Sequence, residues 1–202
     1  MTEFRRLEKH DVREAASVLG RAFADNPGYL SILPFLSAEE RRRTVERVKR
    51  GFVEAAVRHQ FAEAIVRDGR IAAAMLGSDP GQYPPTLTAK AWQASGCATA
   101  GPRGIRNFLV YDAFSSRVHL REPHFYLFVL GVDPEQQGRG LGKSLLHRLN
   151  ARADEKRLPC FLETDRETSV VLYRSVGYEV TTNQTCTKLD GLRMWSMIRK
   201  PR

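Results

Sequence analysis

Apolar spacing divides the chain into a long series of short elements. Phe4 to Leu7 reads as a first strand. Val12, Ala15, Ala16, Leu19 and Phe23 share one face of a helix running to about Ala24, with Asp11 as its candidate cap. Asn26-Pro27-Gly28 breaks it, and the apolar run Tyr29 to Leu36 reads as a buried loop. Ser37-Ala38-Glu39-Glu40 has the S-x-x-E form of a capping box and opens a helix to about His59 along Val45, Val48, Phe52, Ala55 and Ala56. Phe61 to Arg67 and Arg70 to Gly77 are apolar runs around Asp68-Gly69, a hairpin signal because a type I′ turn needs positive φ at both central residues. Ser78 to Pro85 is a loop, Thr86 to Ser95 a short helix, and Gly96 to Gly104 a small-residue connection. Ile105, Phe108, Leu109, Asp112 and Ala113 space a helix from Arg103 or Gly104 to about Leu120.

The second half is more sharply patterned. Phe125 to Val132 is aromatic and aliphatic almost throughout, as a central strand covered on both faces requires. Leu141, Leu145, Leu146 and Leu149 mark the inner face of a helix to about Arg157. Cys160 to Thr164 is a strand, Ser169 the candidate cap of a helix ending at Gly177, and Tyr178 to Thr187 with Leu192 to Arg199 a closing hairpin around Asp190-Gly191. Strands and helices are interspersed, so the class is α/β, and 202 residues suit a single domain, 1–202.

Chemistry concentrates where the central strand ends. Asp133-Pro134 terminates it, since proline cannot donate to a ladder. A glycine-rich turn follows and opens a helix. Missing Cβ atoms admit a ligand to the backbone, and amides at a helix N-terminus suit a pyrophosphate. A dinucleotide fingerprint needs G-x-G-x-x-G, whereas Gly138, Gly140 and Gly142 give G-x-G-x-G. An NTPase loop needs a glycine where Gln137 stands. The spacing that fits is Q-x-x-G-x-G, on Gln137, Gly140 and Gly142.

That spacing, after the Val132-x-Pro134 exit, resembles the coenzyme A signature of the GNAT superfamily of acetyl-CoA-dependent N-acetyltransferases. Leu172-Tyr173 through Gly177-Tyr178 resembles the family's L-Y-x-x-x-G-[FY] element, with Phe161-Leu162-Glu163-Thr164 before it. Together these cover roughly residues 124 to 180. The run LGVDPEQQGRGLG, the FLET strand and a C-terminal Trp-x-Met look most like the puromycin N-acetyltransferase branch.

The resemblance implies a GNAT fold: a mixed, mostly antiparallel sheet, splayed at the central strands, with helices on both faces. It implies acetyl-CoA as co-substrate, no metal, and direct attack by a primary amine. Cofactor contacts would come from Leu130, Gly131 and Val132 along the pantetheine, and from Gln137, Gly138, Arg139, Gly140, Leu141, Gly142 and Lys143 at the pyrophosphate. Gly131 suggests a bulge that frees an amide for the thioester carbonyl. Ser169 stands where many members carry a cofactor-contacting asparagine. Tyr173 is the candidate acid and Glu163 the first candidate base, with His124 and Tyr126 as alternatives. In the family the segment between the first two helices walls the acceptor pocket, a second reading for Tyr29 to Leu36.

Composition narrows the partners. Apolar content of 42% and charged content of 27% argue against disorder. A net charge of +9 favours anionic ligands, coenzyme A among them. The basic residues are interleaved with acidic ones without an aromatic stripe, so nucleic acid is not expected. Cys97, Cys160 and Cys186 are odd in number and lack C-x-x-C, which argues against a disulfide framework or zinc site. The start lacks an apolar signal core and no run approaches a membrane span, so the expected compartment is the cytoplasm. The preferred acceptor is a small-molecule amine. A protein or peptide amine is the second reading and a non-catalytic acyl-CoA sensor the third; monomer and homodimer both remain open.

Overall fold

The computed structural model describes residues 2–202. Seven strands form one sheet in the order β1-β2-β3-β4-β5-β7-β6. They are β1 Thr2–Arg6, β2 Phe61–Arg67, β3 Arg70–Ser78, β4 Phe125–Val132, β5 Cys160–Thr164, β6 Glu179–Cys186 and β7 Leu192–Arg199. Every neighbouring pair is antiparallel except β4 and β5. These two pair in parallel only over Phe125–Leu127 with Cys160–Leu162. Beyond that point they diverge, and Phe128 to Val132 has no partner on the β5 side. The mixed, splayed sheet implied by the resemblance is the sheet observed.

Helices cover both faces. They are α1 Val12–Phe23, α2 Pro27–Ile32, α3 Ala38–His59, α4 Leu87–Ala98, α5 Gly101–Ser115, α6 Leu141–Lys156 and α7 Glu167–Arg174. On one face Val12, Leu19, Val53 and Ala56 of α1 and α3 pack on Ala62, Ala64 and Leu76. On the other, Leu145, Leu146 and Leu149 of α6 and Val170 of α7 pack on Ile65, Met75, Phe125 and Leu162. A third cluster joins α2, α3 and α5 to β7 through Ile32, Leu33, Val45, Phe114 and Met194. Local chemistry fixes several boundaries. Ser37 and Glu40 form the reciprocal capping box of α3. Asp68 and Gly69 take φ of 51° and 76° in the β2–β3 turn, the left-handed pair such a turn requires.

The bulge in β4 is at Phe128, not Gly131. Val129 pairs with Leu76 and Leu127 with Gly77, so Phe128 is the extra residue. The insertion reverses the side-chain parity of the strand: Leu127 joins the α6–α7 core while Val129 joins the α1–α3 core. Gly131 pairs in register with Ala74. Its missing side chain serves packing, since a Cβ there would stand 2.6 Å from Leu19 Cδ2.

Three local expectations change. Asp11 does not cap α1: its buried carboxylate takes two hydrogen bonds from Arg5, at 2.6 and 2.7 Å, and one from the Glu8 amide. Ser169 does not cap α7, which starts at Glu167 after Arg166; Ser169 lies in the first turn. The stretch from Gly96 to Gly104 is largely helical, and Gly96 faces Gly51, where a Cβ would meet Val48 O at 2.6 Å. Composition read these glycines as a connection because it cannot see two helices meeting on them.

Candidate active site

The glycine turn is built by backbone conformation. Gly138 and Gly140 have φ of 76° and 75°, and no heavy atom lies within 4 Å of a Cβ placed on either. Left-handed geometry, not crowding, therefore demands glycine. Gln137 braces the turn by donating from Nε2 to the Val132 carbonyl at 3.2 Å. Arg21 of α1 reaches across to Asp133, whose carboxylate also accepts from the Glu135 amide. α6 begins at Leu141 with no acidic residue in its first turn, so the positive end of its dipole is uncompensated.

A cleft of about 460 Å3 runs from this turn to the splay. It is lined by Leu130, Gly131, Val132, Gln137, Gly138, Gly140, Leu141, Gly142, Lys143, Ser169 and Tyr173, all expected from the sequence. Arg139 is exposed and does not line it. Arg166 does, and adds a cation that the sequence reading missed. A Cβ on Gly142 would lie 3.5 Å from Val132 Cγ2, an ordinary contact, so the protein itself has room there. Amides, a cation and an open approach together fit a diphosphate.

A second cavity, about 170 Å3, adjoins this cleft. The two share Phe23, Asn26, Leu130, Ser169 and Tyr173. Tyr29, Ile32, Phe52, Phe108 and Tyr111 form largely aromatic walls, so the segment after α1 is a cavity wall, folded as α2. Glu163 lines this cavity and not the cleft, while His124 and Tyr126 line neither. Burial raises the Tyr173 phenol above its ordinary range, with nearby Asp165 adding to the effect. Its proton is therefore firmly held at neutral pH. A larger groove, about 670 Å3, lies between α5 and residues 185–188, but none of its lining belongs to the splay.

Two charged side chains of the small cavity lay outside the sequence reading. Lys49 of α3 is 5% exposed, with Nζ 3.6 Å from the Phe23 ring centroid and 5.2 Å from that of Tyr29. Burial lowers its pKa to about 7 against the pull of Asp165 and Cys97. Asp165 follows β5 and accepts from Asn26 Nδ2 at 2.8 Å; burial raises its pKa. Lys49 had a signal, since it interrupts the apolar stripe of Val45, Val48 and Phe52. Asn26 and Asp165 had none, being brought together from remote positions.

Behind Glu163 lies a histidine pair. His124 Nδ1 is 2.7 Å from the Glu122 carbonyl oxygen and must donate to it. Burial lowers the His124 pKa, so its neutral form leaves Nε2 as an acceptor, 3.1 Å from His119 Nε2. His119 then donates there, and its Nδ1 faces Glu163 Oε1 at 3.7 Å. That oxygen has no hydrogen-bond partner.

The sequence pattern of the "Acetyltransferase (GNAT) domain" family matches residues 108–200. N-alpha-acetyltransferase RimI of Mycobacterium tuberculosis (strain ATCC 25618 / H37Rv) is 32% identical over 125 residues, 61% of this chain and 78% of that protein. The chain belongs to the GNAT acetyltransferase family. A mycothiol acetyltransferase of Mycobacterium sp. (strain JLS) is 38% identical over 95 residues, 40% of this chain, which spans only 31% of that longer protein. An uncharacterized Mycobacterium leprae relative matches over 79 residues, with the chain spanning 22% of its length. The crystal structure of histone acetyltransferase HPA2 and related acetyltransferase from Corynebacterium glutamicum ATCC 13032 aligns with a TM-score of 0.73 at 18% identity, over 100% of this chain and 97% of that one. This likeness shows a shared GNAT fold.

Proposed function

We propose that the chain transfers acetyl from acetyl-CoA to the primary amine of a small molecule. The observation that carries this reading is the junction of the two cavities, where Tyr173, Leu130 and Ser169 border both the diphosphate-suited cleft and a cavity of about 170 Å3. Pockets for drug-sized ligands hold roughly 300–1,000 Å3. The acceptor end is therefore small.

Bound in the cleft, acetyl-CoA supplies an acetyl thioester. The amides at the start of α6, with Arg166 and Lys143, hold the diphosphate. The bulge at Phe128 leaves a backbone group outside the β3 ladder beside the splay, available to a carbonyl oxygen as negative charge develops. The acceptor's ammonium first releases one proton to solvent through Glu163, and the free amine loses a second to Glu163 as its nitrogen bonds to the acetyl carbon. Tyr173 gives its proton to the sulfur as the carbon–sulfur bond breaks, and is reprotonated from solvent. The products are the N-acetylated amine and free thiol.

Puromycin-like aminonucleosides belong on the acceptor panel because of the resemblance in the central run. The RimI relative, named an N-alpha-acetyltransferase, supports including peptide N-termini. The test is release of free thiol from acetyl-CoA across small amines, aminonucleosides and peptides, with wild type and Tyr173→Phe side by side. Turnover on a small amine, strongly reduced in the variant, is the expected result. Turnover on peptides alone would replace the acceptor class. Acetyl-CoA binding without transfer to any amine would leave a sensor, and no binding would overturn the reading of the cleft.

A further inference from the structure

The acceptor cavity carries both signs of charge. Glu163 and Asp165 line it from β5 and the residue after it, and Lys49 lines it from α3. Lys49 is the unusual member. It is 95% withdrawn from solvent, yet makes no ion pair within 4 Å and no hydrogen bond to any described residue. Its company is aromatic: Phe23 at 3.6 Å, Tyr29 at 5.2 Å and Phe52 at 5.9 Å from Nζ to the ring centroids. Ring faces stabilise a cation but satisfy none of its three N–H donors. Asp165, the carboxylate whose charge acts on it, is engaged by Asn26 and packed against Gly28. A buried ammonium with free donors facing a cavity is a site for an anionic acceptor of hydrogen bonds.

From this geometry we infer that the acceptor is an amine that also bears a carboxylate, an apolar or aromatic amino acid in chemical class. Its ammonium lies toward Glu163 and Asp165 on the β5 side, next to Tyr173. Its carboxylate lies on Lys49, and its side chain lies among Phe52, Phe108 and Phe128. Charge complementarity excludes the main alternatives. A diamine meets Lys49 with a second like charge, and a monoamine without a carboxylate leaves the lysine's donors bare. This assignment rests on the acetyl-transfer reading above and specifies its acceptor.

Burial pushes the lysine's pKa down to about 7, and the titratable groups facing it are Asp165 and Glu163 across the cavity, Tyr29 on α2, Cys97 on α4, Tyr111 on α5 and Tyr173 on α7. A bound carboxylate favours its charged form, so acceptor binding takes up a proton above neutral pH.

The experiment compares L-phenylalanine, L-phenylalaninamide and 2-phenylethylamine as acceptors for wild type and Lys49→Met, with 3-phenylpropionate as a binding probe that cannot be acetylated. Wild type should prefer the acid over the amide and the decarboxylated amine by roughly ten- to hundredfold in kcat/KM, the scale of a charge-assisted hydrogen bond. Lys49→Met should collapse that ratio toward one, through KM. 3-Phenylpropionate should bind wild type by calorimetry and bind Lys49→Met at least about tenfold more weakly. Equal use of all three amines by wild type would overturn the assignment and leave acetyl transfer standing. Equal loss on all three in Lys49→Met would overturn it too, by making the lysine part of the chemistry. Lysine-dependent binding of the carboxylate without acetylation of any amine would support the site while refuting the transfer reading.

Discussion

Replacing Lys49 with methionine should stabilise the protein below neutral pH, and the gain should shrink as pH rises. The folded chain holds the Lys49 pKa at about 7 against an ordinary 10.5. One pKa unit corresponds to about 1.4 kcal/mol, so burying the charged form costs about 4–5 kcal/mol. The three aromatic rings return about 0.5–2 kcal/mol of this. Methionine keeps the apolar stem and removes the charge, for a net gain of about 2–4 kcal/mol, or roughly 5–15 °C in Tm for a chain of this size.

The sign follows from proton counting. Below pH 7 both the folded and the unfolded chain hold the proton, and the folded chain bears the full desolvation cost. Between 7 and 10.5 the unfolded chain still holds the proton while the folded chain has released it, so wild-type stability rises with pH. The advantage of Lys49→Met therefore falls by about 1.4 kcal/mol per pH unit in that window. Urea unfolding of both proteins at pH 6 and pH 9 measures it. An equal difference at the two pH values would mean that the lysine is not desolvated as described. A variant less stable at both would refute the buried, unpaired cation outright.

Other substitutions separate binding, chemistry and folding. Tyr173→Phe should lower kcat by roughly 10²–10⁴ with little change in acetyl-CoA affinity, measured by thiol release and calorimetry. Gly142→Ala should leave stability unchanged or raise it by up to about 1 kcal/mol, because the helix gains an alanine and the new Cβ meets only ordinary contacts, yet weaken coenzyme A binding. Gly140→Ala should cost about 1–2 kcal/mol in urea unfolding, because alanine must adopt its left-handed φ of 75°. Glu163→Gln should lower kcat by roughly 10²–10⁴.

Local chemistry was readable from the sequence at the β2–β3 turn and the α3 cap, though not at Ser169, where α7 begins two residues earlier than its candidate cap. Asp68-Gly69 and Ser37-x-x-Glu40 specify their turn and cap by side chains and φ within four residues, and both stand as read. The β4 and β5 boundaries emerged as expected because continuous apolar runs flanked by proline admit few other limits. Failures came where a side chain answers to a remote partner. Asp11 looked like a cap because its partner Arg5 was invisible at the level of spacing. Gly51 and Gly96 have meaning only as a pair of facing helix surfaces.

The same distinction explains the split within the site. The glycine turn proposed for a diphosphate depends on φ angles and backbone amides, which Gln137 to Gly142 specify almost unaided. The cavity proposed for the acceptor depends on where β4 and β5 separate and on what α1, α2, α3 and α5 bring to that opening. Gly131 drew the bulge assignment because glycine is the local mark of irregular backbone, whereas the insertion at Phe128 is a mismatch of register between β4 and β3, set by both strands together. Lys49 is intermediate. Its place in an apolar stripe was a signal that the sequence reading passed over, and a cost of several kcal/mol in a protein whose total stability is about 5–15 kcal/mol calls for a compensating role. A cavity that opens onto that lysine supplies one, which makes the stability gain of Lys49→Met and its loss of acceptor discrimination two readings of a single charge.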